Sequence, residues 1–224
     1  MIDSIRSSLP KDALVGGAVA ENHDLEQALA DMIAAGPQAD VIIASSFSDD
    51  ALEILHTRRK ATRLLSAPDP EPLGLSVRTF GHTALVQGAD ELEAEMSTWR
   101  CVTVAQPTPA QLVDLALAWR VCARTTSNAI VLAKDGVAVG VGAGQQSRVV
   151  AAGIATAKAG EKAVGSAAAS DAFFPFRDGL DVVTGNGAAA VIQPGGSVRD
   201  DEVIAAADER GIAMVFTAHR HFRH

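Results

Sequence analysis

Apolar runs of strand length alternate with segments of helical period from near the start of the chain: VGGAVA, DLEQALADMIAAG, DVIIASS, DDALEILHTRR and TRLLSA. Short apolar runs bounded by small and polar residues read as buried strands, and apolar positions three and four apart read as helix faces, so this stretch predicts a βαβαβ unit. Three prolines within Pro68–Pro72 break the pattern, because proline lacks the N–H that a helix interior or central strand needs. A connecting region is expected after them. PTPAQLVDLALAWRVCARTT then predicts a helix, with proline and threonine at its start and Leu112, Leu115, Ala116 and Trp119 on one face. SNAIVLAKDGVAVGVGAG predicts two antiparallel strands joined through Lys134-Asp135-Gly136, and the tail repeats the opening order with AAAVIQPGG, DDEVIAAADERG and IAMVFTA.

Two of these units superpose at a constant offset of 151 residues, with Ser46 on Ser197 and Asp49-Asp50 on Asp200-Asp201. Each runs strand, small-residue loop, acidic helix start suited to the positive end of the helix dipole, helix, strand. The match fits either a duplicated pair of α/β layers or the general likeness of βαβ units.

Composition acts by exclusion. Of 224 residues 48% are apolar and 21% charged, enough for a full core and too apolar for a disordered chain. With 27 acidic against 19 basic residues the net charge is -8, whose field repels phosphate backbones, so no nucleic-acid partner is expected. No run approaches the roughly 18 apolar residues of a membrane span, and MIDSIRSSLPKD has neither a basic nor an apolar leader region. A cytoplasmic chain with no membrane partner is expected. Cys101 and Cys122 cannot build a disulfide framework, and no Cys-x-x-Cys or His-x-Glu pattern exists to hold a deaminase-type zinc.

Candidate chemistry is concentrated in the second half. Gly140-Val141-Gly142-Ala143-Gly144 invites a dinucleotide reading that fails on spacing, since Gln145 or Ser147 occupies the third glycine position. That leaves a tight turn, or a close backbone approach to a ligand with Gln145, Gln146, Ser147 and Arg148 at a helix start. Ser170–Asp178 holds three of the seven phenylalanines beside two carboxylates and an arginine, which suits either a core cluster or a wall for a flat aromatic ligand. Gln193-Pro194-Gly195-Gly196-Ser197 ends an apolar strand, where open α/β sheets bind ligands. The terminal His219-Arg220-His221-Phe222-Arg223-His224 is either a solvated tail or an anion and acid–base site. His23, His56 and His82 stand isolated.

The stretches SNAIVLAKDGVAVGVGAGQQSR, SDAFFPFRDGLD, VIQPGGSVRDDEVIAAADERGIAMVFT and RHFRH together resemble one family. They are similar to the C-terminal part of the aminoimidazole-carboxamide ribonucleotide (AICAR) transformylase domain of the bifunctional purine-biosynthesis enzymes that also carry inosinate cyclohydrolase activity. The likeness is near continuous from Asn128 to His224, and weaker back to Leu14 through GGAVAENHDL and DVIIASSFSDDAL. It implies an α/β fold of duplicated cytidine-deaminase-like layers, the first one incomplete. Residues 1–100 would form a partial first subdomain and connector, and residues 101–224 the second subdomain.

The resemblance further implies formyl transfer from 10-formyltetrahydrofolate to an aromatic amine of AICAR or a related azole. Asn128 matches an oxyanion donor, Arg148 and Val149 line the folate or nucleotide pocket, and Phe173 packs on the substrate imidazole. Phe176, Asp178 and Ser197 match pterin contacts, Arg220 an arginine on the substrate 5′-phosphate, and Ser127 and Asp171 part of a monovalent-cation site that would hold potassium. The sequence departs from the family in having no Arg-Tyr-Gly-Glu-Asn-Pro and no Lys-His-x-Asn-Pro-Cys-Gly stretch, and in Thr126, where the bacterial pattern usually has lysine. The proton-transfer base would therefore be His82, His219 or His221, or would come from a partner chain carrying the Lys-His half. A homodimer or heteromer is expected. The alternatives are a non-catalytic folate-binding or regulatory subunit, and a transformylase of specialised metabolism acting on a different azole.

Overall fold

The computed structural model describes residues 17–20, 24–36, 38–68, 74–90, 92 and 95–223. The chain divides into two compact units, one reaching to Ala89 and the other starting at Asp90. The first holds β1 (Gly17–Ala20), α1 (Gln27–Ala34), β2 (Ala39–Ala44), α2 (Asp49–Arg58) and β3 (Arg63–Ser66), with the strands parallel in the order β1-β2-β3. This is the βαβαβ unit expected from the pattern. Ile42 and Ala44 share a small core with Ala30 and Ile33 of α1 and Ala51 and Leu55 of α2. The Ser48 hydroxyl accepts from the Ala51 N–H at the start of α2, and Asp49 and Asp50 occupy its electropositive first turn.

The region left as a connector contains an antiparallel hairpin, β4 (Leu75–Phe80) and β5 (Thr83–Gly88), closed by a two-residue turn with Gly81 at φ 57°. Glycine at that first turn position accepts the positive φ a twisted hairpin requires. Leu75, Val77, Phe80, Leu85 and Val86 of this hairpin are all more than half exposed.

The second unit is built on a six-stranded sheet in the order β6-β11-β10-β9-β7-β8. Its elements are β6 (Arg100–Cys101), α3 (Pro109–Ala123), β7 (Ile130–Lys134), β8 (Val137–Gly142), α4 (Arg148–Ala159), β9 (Ala167–Ser170), α5 (Arg177–Gly185), β10 (Ala190–Gln193), α6 (Asp200–Glu209) and β11 (Ala213–Phe216). Strands β9, β10 and β11 are parallel, and β6 and β7 run against them. Successive side chains of a strand point to opposite faces. Val131, Ala169, Ile192 and Val215 therefore pack with Leu115, Trp119 and Cys122 of α3, while Leu132, Ala168, Val191 and Met214 pack with α4, α5 and α6. Both faces are covered, as a sheet with a parallel centre requires.

Local sequence sets the ends of these elements. Thr108 and Gln111 form a reciprocal capping box ahead of α3, with Pro109 at its first position. Asp135 and Gly136 both adopt positive φ in the β7–β8 turn, as the Asp-Gly pair predicts. The glycine run is neither a simple turn nor an approach to a ligand. A Cβ at Gly140 would lie 2.1 Å from the Ala155 carbonyl oxygen, and one at Gly142 would lie 2.0 Å from that of Ala151, so these glycines let α4 lie directly on β8. Only Gly144, at φ 65°, serves the turn that follows.

Under the offset of 151 residues, Asp49–Arg58 falls on Asp200–Glu209, so the bounds of α2 and α6 coincide. The strand pairing differs by one residue, since Ile42 pairs with Leu64 whereas Gln193, the position 151 residues on, pairs with Phe216 instead of Val215. No helix among the described residues is long and apolar enough to cross a membrane.

Candidate functional site

Strand register gathers the candidate residues at one edge of the six-stranded sheet. Ile130 at the start of β7 pairs with both Ser170 at the end of β9 and Gly142 at the end of β8, and β10 and β11 end beside them. Loops leaving the carboxyl ends of parallel strands are where α/β sheets bind ligands. Ser127, Asn128, Arg148, Val149, Asp171, Phe173, Phe176, Asp178, Ser197, Arg220 and His221 all lie on segments that enter or leave this edge. His82 does not, being exposed in the hairpin turn of the other unit.

Asp171, at the end of β9, is a fully buried carboxylate at this edge. Its carboxylate accepts from the Ser127 hydroxyl and from Arg148 Nη2 at 3.1 Å, while Arg148 Nε donates to Ser170 Oγ at 3.2 Å. Arg148 is itself only 14% exposed in its side chain, so the pair is poorly screened. Beneath it Cys122 donates to the carbonyls of Ala129 and Ala169. Burial pushes the Cys122 thiol well above its ordinary value, and the nearby Asp171 charge adds to the shift. Cys122 is therefore an inert core thiol.

Asn128 follows a cis peptide and sits across from the β8–α4 loop. Its N–H and its side-chain Nδ2 both donate to the Gln145 carbonyl, at 3.1 and 2.8 Å, and Gln145 N–H returns a bond to the Asn128 carbonyl. One of the two amide protons is thus fixed, and the other has no partner among the described residues. Gln145 was legible only as a polar group near a helix start, and nothing in the pattern marked it as the group that orients Asn128.

The Phe-Pro-Phe loop splits into core and wall. Phe174 is buried, Phe173 is partly buried, and Phe176 is 48% exposed with the Arg199 guanidinium 4.8 Å from its ring centre. The loop is pinned by Gln193, a fully buried side chain whose Oε1 accepts from the Phe174 N–H at 2.8 Å. In the next loop Asp200 accepts from the N–H groups of Gly196 and Ser197. Gly195, at φ 72°, lies on Phe216, whose ring would be 2.3 Å from an added Cβ. Asp178 is exposed in the first turn of α5, with one carboxylate oxygen on the Gly179 N–H.

The tail is docked, not frayed. His221 N–H donates to the Asp171 carbonyl at 3.0 Å and Ser127 N–H to the Arg223 carbonyl at 2.8 Å. The His221 ring is 2% exposed, its Nδ1 lies 2.9 and 3.0 Å from the two oxygens of Asp90, and its Nε2 is buried without a partner. An acceptor at Nδ1 fixes the ring proton there. Arg220 and His219 on the same segment are exposed.

Fold and site thus define an α/β protein whose polar and aromatic groups converge at the carboxyl ends of its parallel strands. The family model described as the AICARFT/IMPCHase bienzyme matches residues 11–158, well over half of the chain, and the chain belongs to that family. The family places it among transferases of purine biosynthesis whose chemistry is formyl transfer to a small molecule. His82, Ser127, Asn128, Arg148 and Val149 fall inside the matched stretch, and the remaining candidates lie beyond it.

Proposed function

We propose that the sheet edge of the second unit binds 10-formyltetrahydrofolate and an azole amine, AICAR or a close relative, and transfers the formyl group between them. Phe176, Asp178 and Ser197 would meet the pterin, with Val149 and Arg148 lining the same pocket, while Phe173 would pack on the azole and Arg220 would meet its phosphate. As the amine nitrogen attacks the formyl carbon, negative charge grows on the formyl oxygen, and the second Nδ2 proton of the Asn128 side chain would donate to it. The observation that carries this reading is the Asn128 amide, tied by one proton to Gln145 and left with the other to give, on the same sheet edge as an exposed aromatic ring and carboxylate.

A donor amide cannot take the ammonium proton, because it has no useful pKa. Of the tail histidines, His221 has its Nε2 closed off from solvent, while His219 is exposed next to Arg220. The base is then the His219 imidazole or a group supplied by a partner chain, and the latter goes with the second reading, in which this chain alone is a folate-binding or regulatory subunit. A homodimer or heteromer follows from the same reading. Potassium at Ser127 and Asp171 would meet two side-chain oxygens already hydrogen-bonded to each other and a carboxylate already paired with Arg148, so the arrangement does not fit the ion.

Calorimetric titration with 10-formyltetrahydrofolate and with AICAR separately, followed by a formyl-transfer assay, tests the proposal. Asp178→Ala should weaken folate binding, and Asn128→Ala should keep binding while lowering turnover about 10²–10³-fold. If turnover is undetectable with both ligands bound, the subunit reading stands. Folate affinity indifferent to Asp178→Ala would refute the pocket.

A further inference from the structure

We infer that Asp90, which lies outside every motif of the family resemblance, is a positioning residue for this site: it holds the C-terminal tail, and with it Arg220, at the sheet edge by gripping His221. The inference rests on the reading of Arg220 as a ligand contact. Between Ala218 and Arg223 the only buried side chain is that of His221. Its ring packs against Trp119, with ring centres 5.0 Å apart and planes at 58°, and hydrogen-bonds Asp90 through Nδ1. Burying an imidazole whose Nε2 has no partner is unfavourable, and a charge-assisted bond at Nδ1 is what offsets it. Without the carboxylate both ring nitrogens would be orphaned, and a chain terminus not tied down frays.

The surrounding bonds form a closed circuit. Arg124 Nη1 donates to the Asp90 carbonyl at 2.9 Å, Arg223 Nη1 donates to the Arg124 carbonyl at 3.2 Å, and the tail backbone is bonded to Ser127 and Asp171. Asp90 is the first residue of the second unit, so the place where that unit begins is tied directly to the segment that presents Arg220. Release of His221 therefore frees Arg220 and the two backbone bonds that reach Asp171 and Ser127.

The test uses the whole chain carrying Asp90→Ala, Asp90→Asn, His221→Ala or both alanines, read by the rate of tryptic cleavage after Arg220 and by AICAR titration. Asp90→Ala should speed that cleavage about tenfold or more, as loss of a hydrogen bond to a charged group does for local opening. Asp90→Asn, which keeps an oxygen acceptor, should restore most of the protection. The double variant should cleave no faster than His221→Ala, and AICAR affinity should fall in step with tail release. An unchanged rate in Asp90→Ala, or cleavage rising throughout the chain instead of at the tail, overturns the inference. So does a loosened tail that leaves AICAR affinity intact. A wild-type chain that does not bind AICAR refutes the reading of Arg220 instead, and the cleavage rates then still decide whether Asp90 holds the tail.

Discussion

Replacing Arg148 by methionine keeps the length and apolar stem of the side chain while removing the guanidinium that meets Asp171. Asp171 is fully buried, and among the described residues its only other side-chain donor is the Ser127 hydroxyl. A buried carboxylate stripped of its cation costs about 3–5 kcal/mol. With 14% of the Arg148 side chain exposed, some water reaches the gap, which places the expected loss near ~3 kcal/mol at the low end of that range. Asp171→Asn removes the charge and leaves an amide for the Ser127 hydroxyl, so the double variant should recover most of the loss, with a coupling energy of about 2–3 kcal/mol. Both tryptophans, Trp99 and Trp119, lie in the second unit, so urea unfolding followed by tryptophan fluorescence reports that unit alone. Losses that simply add in the double variant would refute the argument. Arg148 would then be free to serve as a pocket contact, and Asp171 would have some other source of stability.

Two further expectations follow from the core and from the hairpin. The raised Cys122 thiol stays protonated in the fold while the unfolded chain ionises, so its contribution is fully present below about pH 8.5 and is lost as pH rises, at up to about 1.4 kcal/mol per pH unit; unfolding between pH 7 and 10 should show a slope that Cys122→Ala removes, and an identical slope in that variant would exclude this origin. The hairpin exposes five large apolar side chains, and a two-stranded hairpin is at best marginally stable alone, so light scattering should detect an oligomer that Val77→Thr with Val86→Thr, a facing pair, weakens; a stable monomer at micromolar concentration would count against it.

The strands and helices that the pattern reveals are those whose apolar residues are large. DVIIASS and IAMVFTA announce β2 and β11 directly. Strand β9 is silent in the sequence because it is AAAS, residues of low strand preference, yet it lies between β10 and β7 in the middle of the sheet. Its alanines are small because α3 packs closely on one face of it, which is a tertiary demand that no local window carries. The hairpin β4–β5 is harder to read for a different reason: Leu75-Ser76-Val77-Arg78 alternates, but Thr83-Ala84-Leu85-Val86 does not, and Gly81-His82 is a weaker turn signal than Asn-Gly or Asp-Gly. At the site, motifs marked which loops matter. They marked Gln145 and Gln193 without the roles these take and did not mark Asp90, since each acts through a partner far off in sequence.

What the edge can do follows from which polar atoms are already spent. The Ser127 hydroxyl and Arg148 Nη2 are committed to Asp171, Arg148 Nε to Ser170, and the His221 ring is closed on one side by Asp90 and on the other by the core. The groups left over are one amide proton of Asn128, the second oxygen of Asp178 and the Ser197 O–H, together with the half-exposed Phe176 ring, which carries the Arg199 guanidinium on one face, and the exposed Arg220, whose guanidinium lies 5.1 Å from the Phe222 ring centre. A donor for a growing oxyanion, an acceptor and an aromatic wall for a flat heterocycle, and a cation for a phosphate match binding and charge stabilisation. None of them carries a proton on and off near neutral pH. The rate that general acid–base catalysis adds, about 10²–10⁴-fold, must therefore enter through a group outside this set, and the two sources to compare are the exposed His219 imidazole beside Arg220 and a group from a second chain.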